Sequence, residues 1–225
     1  MAEIKPPVVV LNLKAYLESA GGNGLALAKA CEEVAIESGI SIAICPQTVD
    51  LAWIARQVEI PCLAQHADAI PPGSYTGWIT LESIKSAGAV GTLVNHSEHR
   101  LRIAEIDEII NRAKALDLLT IVCTNNLAVS KAVAALAPYA LAIEPPQLIG
   151  SGIPVSKAEP EIVRGTVQAV KAINRAVMVL CGAGISTGED VKAAIELGSE
   201  GVLLASSVVK AKNPKAVLQD LVSLL

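Results

Sequence analysis

Eight times along this 225-residue chain, a short apolar run is followed by a longer stretch of helical periodicity, at about 28 residues per unit. The runs are Val8-Val9-Val10-Leu11, Ser41-Ile42-Ala43-Ile44-Cys45, Cys62-Leu63-Ala64-Gln65-His66, Gly91-Thr92-Leu93-Val94-Asn95-His96, Thr120-Ile121-Val122-Cys123-Thr124, Leu141-Ala142-Ile143, Val177-Met178-Val179-Leu180-Cys181 and Gly201-Val202-Leu203-Leu204. Runs so short and so continuously apolar suit strands buried on both faces. Strict strand–helix alternation then dictates a parallel sheet, because parallel neighbours need a crossover between them. Eight such units indicate an α/β chain closed into a (β/α)8 barrel, one domain over residues 1–225. An open doubly wound sheet is the alternative, but it would use only five or six strands and leave the last units unassigned.

The intervening stretches carry matching signals. Leu27, Cys31, Val34 and Ala35 share one helical face that Gly39 closes. Residues 50–58, 128–136 and 191–197 are predicted helical, and Thr80 is placed to cap a short helix that ends at Gly88. Ile103, Ile106, Ile109, Ile110, Ala113 and Leu116 give the clearest amphipathic pattern. Pro160 opens a run with Ile162, Val163, Val167, Val170 and Ile173 inward, and Asn213-Pro214 starts a final helix.

Composition narrows what such a barrel could do. Apolar residues make up 52% of the chain and Phe is absent, so the core must be aliphatic. A net charge of −4 speaks against nucleic acid or a membrane surface as partner. It leaves room for a small anion, which a nest of N–H groups or one Lys can hold locally. Residues 1–7 contain no signal-type apolar core, and no run approaches a membrane span. Cys31, Cys45, Cys62, Cys123 and Cys181 are scattered without CxxC spacing and read as reduced core residues of a cytoplasmic protein.

In a parallel barrel, every strand's C-terminal end opens on the same rim. Those ends carry Asn12 and Lys14, His96, Glu144, Gly182-Ala183-Gly184, and Ala205 with Ser206. A cation, an imidazole, a carboxylate and two N–H-rich turns therefore converge. The turns after strands seven and eight are where barrels commonly take phosphate. After Glu144, Pro145-Pro146 stiffen the strand's exit while Gly150 and Gly152 loosen its far end, which is the make-up of a lid.

Asn12-Leu13-Lys14, Asn95-His96-Ser97-Glu98 and Glu144-Pro145-Pro146-Gln147-Leu148-Ile149-Gly150-Ser151-Gly152, in that order, resemble the triosephosphate isomerase family in its compact archaeal branch. The likeness spans essentially the whole chain. It implies a TIM barrel that interconverts dihydroxyacetone phosphate and D-glyceraldehyde 3-phosphate in glycolysis and gluconeogenesis, without cofactor or metal. It also implies a homo-oligomer, tetramer or dimer, with residues 67–78 as the loop that reaches a neighbour. By the same resemblance Glu144 is the general base, His96 the electrophile, and Lys14 the cation that binds substrate, with Asn12 beside it. The backbone around Ile149, Gly150, Gly184, Ala205 and Ser206 corresponds to the phosphate contacts. The chain departs from the family where Cys181-Gly182-Ala183-Gly184 replaces a Tyr-Gly-Gly-Ser turn, Gln147 replaces a lid Trp, and His99 replaces an Arg.

The reaction explains those residue types. A carboxylate can take a proton from one carbon and return it to the next, while a neutral imidazole stabilises the enediolate between them. This pairing is itself the established worked case of such tuning. A helix start after His96, over Ser97-Glu98, is expected to hold the imidazole neutral. His66 and His99 read as supporting or structural groups, Glu98 as a partner that fixes its neighbours, and Cys181 as packing. No HxH or HxxxH pair points to a metal. An epimerase-like or a non-catalytic sugar-phosphate-binding barrel is the alternative.

Overall fold

The computed structural model describes residues 4–145 and 159–225. Its strands are β1 (Val8–Asn12), β2 (Ser41–Cys45), β3 (Leu63–Ala64), β4 (Gly91–Val94), β5 (Leu119–Thr124), β6 (Ala140–Ile143), β7 (Met178–Cys181) and β8 (Gly201–Leu204). They form one eight-stranded parallel sheet in the order β2-β1-β8-β7-β6-β5-β4-β3. The remaining gap, between β2 and β3, is bridged at Ile44 and Cys62, so the sheet closes on itself. This is the TIM barrel expected from the eightfold alternation.

The two-residue period of a strand sorts the core into two layers. Val8, Val10, Ala43, Cys45, Leu63, Leu93, Ile121, Cys123, Ala140, Ala142, Leu180 and Leu203 fill the barrel interior. Val9, Leu11, Ile42, Ile44, Val94, Val122, Leu141, Val179, Cys181, Val202 and Leu204 face the helices. Ile4 plugs the lower end, and its carbonyl accepts a hydrogen bond from the Tyr139 hydroxyl at 2.7 Å.

Around the barrel lie α1 (Gly22–Ser38), α2 (Leu51–Ala55), α3 (Leu81–Ser86), α4 (Ile103–Ala115), α5 (Leu127–Ala135), α6 (Pro160–Ile173), α7 (Gly188–Glu196), α8 (Ser206–Val209) and α9 (Pro214–Val222). Leu27, Cys31 and Val34 are buried along α1, while Ala35 is half-buried. Gly39 takes the left-handed conformation (φ 73°) that ends α1, its N–H bonded to Ala35 O at 2.9 Å. Ile106, Ile109, Ile110 and Ala113 are the buried stripe of α4, but Ile103 is 54% exposed because it overhangs the first turn. On α6, Val163, Thr166 and Val170 turn inward, whereas Ile173 stays exposed at the helix end. Among the described residues, no helix is long and apolar enough to cross a membrane.

Three expectations shift. The helix predicted over 50–58 is a five-residue α2. The helix predicted over 191–197 begins earlier, at Gly188. Its start is set by a capping box, in which the Thr187 side chain accepts from Asp190 N–H and the Asp190 carboxylate accepts from Thr187 N–H at 3.0 Å. The third strand keeps only Leu63 and Ala64, because Gln65 then spends its side-chain amide on Lys14 O and Cys45 O, both at 3.0 Å.

Candidate active site

Strand parity determines which residues crown the barrel interior. Asn12 continues the inward column of Val8 and Val10, Asn95 that of Leu93, Glu144 that of Ala140 and Ala142, and Gly182 that of Leu180. Asn12, Lys14, Tyr16, His96, Glu98, Glu144, residues 182–186 and residues 203–207 line one cavity of about 520 Å³. The structure thus brings Asn12, Lys14, His96, Glu144, Gly184, Ala205 and Ser206 together. Ile149 and Gly150, with the rest of the expected lid, lie outside the described residues.

Glu144 follows β6 directly and is buried, with its Oε1 3.5 Å from His96 Nε2. Burial pushes its pKa up to about 7, against the pull of the Cys123 thiol, Lys14 and Arg100 toward the charged form. Glu144 Oε2 has no hydrogen-bond partner among the described residues, and neither does the buried Ser97 Oγ. Burial thus keeps water from the carboxylate and leaves one of its oxygens without a partner among the described residues, which is the condition of a base held ready to accept a proton.

His96 is also buried. Burial first, and then the charges of Lys14 and Arg100, lower its pKa to about 4, with Glu98 opposing. The ring is therefore neutral at pH 7. Its Nδ1 accepts the Glu98 N–H at 3.2 Å, which leaves the proton on Nε2, the nitrogen beside Glu144. The helix start expected here is instead one turn, closed by His99 N–H to His96 O at 2.9 Å, and α4 begins only at Ile103. The imidazole is kept neutral by burial and neighbouring cations, a different cause from the one expected.

Lys14 adopts a left-handed backbone (φ 48°), uncommon for a side-chain-bearing residue. Two side chains hold it there: Asn12 Oδ1 accepts the Lys14 N–H at 2.9 Å, and Gln65 donates to its carbonyl. Its ammonium reaches Glu98 at 2.8 Å. Asn95 is left-handed as well (φ 60°), tied by its side chain to Cys123 O and Leu101 N–H, both at 2.9 Å. Its carbonyl accepts from Arg100 at 2.8 Å. Both sides of the rim are thus braced by side-chain amides.

Opposite them, Gly184 is left-handed (φ 73°) and α8 presents its start to the same cavity. Opening N–H groups of a helix have no intrahelical acceptor and favour an anion. Ser207 Oγ donates to Ile185 O at 3.0 Å and joins the two turns.

His66 and His99 stand away from the cavity lining, stacked on each other with centroids 3.8 Å apart. His66 Nε2 is 3.1 Å from Asp68 Oδ1, and burial lowers the His66 pKa. Cys181 is buried, as are the other four cysteines, and none of the five forms a disulfide among the described residues. Gln65, Tyr16 and Arg100 are the contributors that sequence reading passed over. Gln65 carried one signal, a polar side chain inside the third apolar run.

The family model for triosephosphate isomerase matches residues 7–224. The triosephosphate isomerases of Methanocaldococcus jannaschii and Methanobacterium bryantii are each 59% identical to this chain. The first aligns over 97% of this chain and all of its own length, the second over 99% of each. That of Methanothermobacter thermautotrophicus is 55% identical over 96% of this chain and 95% of its own. With eight parallel strands closed into a barrel and agreement along nearly its whole length, the chain belongs to the triosephosphate isomerase family.

Proposed function

We propose that this chain interconverts dihydroxyacetone phosphate and D-glyceraldehyde 3-phosphate, with Glu144 as the base, His96 as the neutral hydrogen-bond donor and Lys14 as the cation. One observation carries the assignment of roles: a buried carboxylate with a raised pKa lies 3.5 Å from the protonated nitrogen of a neutral imidazole. Glu144 takes a proton from C1 of the ketone, and the C–H electron pair becomes the C1–C2 double bond of an enediolate. The former carbonyl oxygen takes up the displaced pair, stabilised by His96 Nε2–H and Lys14. His96 donates its Nε2 proton to O2 and takes the hydroxyl proton from O1. The pair left on O1 forms the aldehyde carbonyl at C1, and the C1–C2 double-bond pair takes the proton back from Glu144 at C2. A neutral imidazole suits this step, because its pKa lies closer to that of an enediol than an imidazolium's would.

The phosphate is assigned to the N–H groups around Gly184, Ala205 and Ser206, with Ile149 and Gly150 completing the set and Asn12 flanking Lys14. Fixing the phosphate holds the carbons against Glu144, so binding at the non-reacting end lowers the barrier at the other. We place the enzyme in the cytoplasm, in glycolysis and gluconeogenesis. We also infer a homo-oligomer, dimer or tetramer. Tyr75 and Trp78 are 42% and 55% exposed on the loop at 67–78, more aromatic surface than a lone copy gains from showing. A coupled assay with glyceraldehyde 3-phosphate, repeated with 2-phosphoglycolate as inhibitor, tests the reaction; no turnover by pure protein refutes it. Light scattering during gel filtration tests association, and a monomer at micromolar concentration refutes that part.

A further inference from the structure

The residue two positions beyond Lys14 has no role in the chemistry above, yet it forms part of the cavity wall. Tyr16 is half-buried, and its ring is covered on one face by Lys210, whose Nζ lies 4.4 Å from the ring centroid. Its carbonyl accepts three donors, Ser19 N–H at 3.1 Å, Ser19 Oγ at 2.9 Å and Gln47 Nε2 at 3.0 Å. The backbone of this loop is therefore pinned at Lys14 by Asn12 and Gln65, and at Tyr16 by Ser19 and Gln47.

Lys210 belongs to the neighbouring wall of the cavity, after β8, the strand that pairs with β1. It is the residue that ends α8, with its N–H on Ser206 O at 3.1 Å. A four-residue helix has too few internal hydrogen bonds to hold itself and depends on its attachments. Val208 and Val209 anchor α8 in the outer core, and Ser207 fastens it to the turn after β7. The β1–β8 ladder joins the strands below, and the Lys210–Tyr16 contact adds a side-chain attachment between the loops above them.

We infer that the Tyr16–Lys210 contact is a clasp setting the spacing between Lys14 and the α8 turn, so that Tyr16 is a positioning residue for the anionic substrate. The inference rests on the reaction proposed above. If Lys14 holds the reacting end and the α8 turn the phosphate, their separation must match the length of one three-carbon ester. Neither backbone attachment within the Lys14 loop reaches the neighbouring wall. The clasp joins the two walls through side chains, and it needs both an aromatic face and a cation.

The test uses Tyr16→Leu, which keeps apolar bulk without the ring face, and Lys210→Met, which keeps the stem without the charge, together with the double variant. Each is assayed for KM and kcat with dihydroxyacetone phosphate and for inhibition by 2-phosphoglycolate. A partly exposed cation–ring contact converts to about a two- to fivefold change. Both single variants are expected to raise KM and the inhibition constant together by that factor, with the thermal midpoint unmoved. The double variant is expected to be no worse than the weaker single one, and Tyr16→Phe, which restores the ring, should recover the wild-type KM. Unchanged KM in either single variant overturns the clasp. So do losses that multiply in the double variant, which would mean that Lys210 acts only as a charge on the anion. A wild-type protein without isomerase activity would instead remove the proposed reaction.

Discussion

Gly182→Ala is the smallest change that separates the position of Glu144 from its chemistry. Ile143 pairs with Cys181, and Gly182 N–H donates to Ile143 O at 3.0 Å, so Glu144 and Gly182 stand side by side at the top of neighbouring strands. A Cβ on residue 182 would lie 2.6 Å from Glu144 Cγ and 3.3 Å from both Cδ and Oε1. Carbon atoms in contact prefer about 3.5–4.0 Å, so the Glu144 side chain must retreat by about 1 Å. Gly182 is not among the left-handed glycines, so alanine brings no backbone strain of its own. The cost to stability is that of one overpacked methyl, about 1–3 kcal/mol. The cost to rate is larger, because displacing a reacting group by about 1 Å loses on the order of 10²-fold. The expected outcome is a kcat lowered about 100-fold with KM changed by less than about threefold, since Lys14 and the phosphate contacts assigned to Gly184, Ala205 and Ser206 are untouched. Steady-state kinetics with a circular-dichroism melting curve reads both quantities. A folded variant retaining kcat within about threefold of wild type would refute the argument, because the Glu144 placement described here would then not be the reactive one.

Glu144→Gln should collapse turnover by several orders of magnitude while 2-phosphoglycolate still binds, and near-wild-type turnover would remove Glu144 as the base. The same variant has a pH signature in stability. Glu144's folded pKa of about 7 lies above its ordinary 4.5, so the wild type's relative stability is fully present below pH 4.5 and is lost as pH rises through 7. Glu144→Gln should therefore melt higher than wild type at pH 8, by an increment worth up to about 3 kcal/mol that disappears near pH 4, and an increment independent of pH would contradict it. Lys14→Met, which keeps the aliphatic stem, should weaken 2-phosphoglycolate binding and lower kcat by about 10²-fold or more; an effect on neither excludes Lys14 from the site. Dialysis against a chelator should leave kcat and KM unchanged, and loss of activity restored by a divalent cation would overturn the metal-free mechanism.

The barrel was legible because its cause is local and repeated. Each apolar run is a two-sided buried strand, and the parity that sends Val10 and Ala142 into the interior also delivers Asn12 and Glu144 to its rim. Residues carried by strand ends could therefore be placed on one rim from chain order, while the roles expected of them came from the resemblance to the family. Three features could not, and for different reasons. Capping chemistry at Thr187 and Asp190 begins α7 before any apolar residue announces it, so hydrophobic periodicity starts that helix late. The β3 end is consumed by Gln65, whose two acceptors belong to strands and loops far away in sequence, beyond the reach of any local window. The neutral state of His96 was expected from a helix start but comes from burial, from Lys14, which only three-dimensional packing brings near, and from Arg100 in its own loop. The distinction is one of range. Sequence reads what a residue's own strand or helix imposes, whereas protonation states depend on charges contributed by other units of the barrel. It follows that a substitution remote in sequence, such as at Lys14 on β1's exit, should move the titration of both Glu144 and His96.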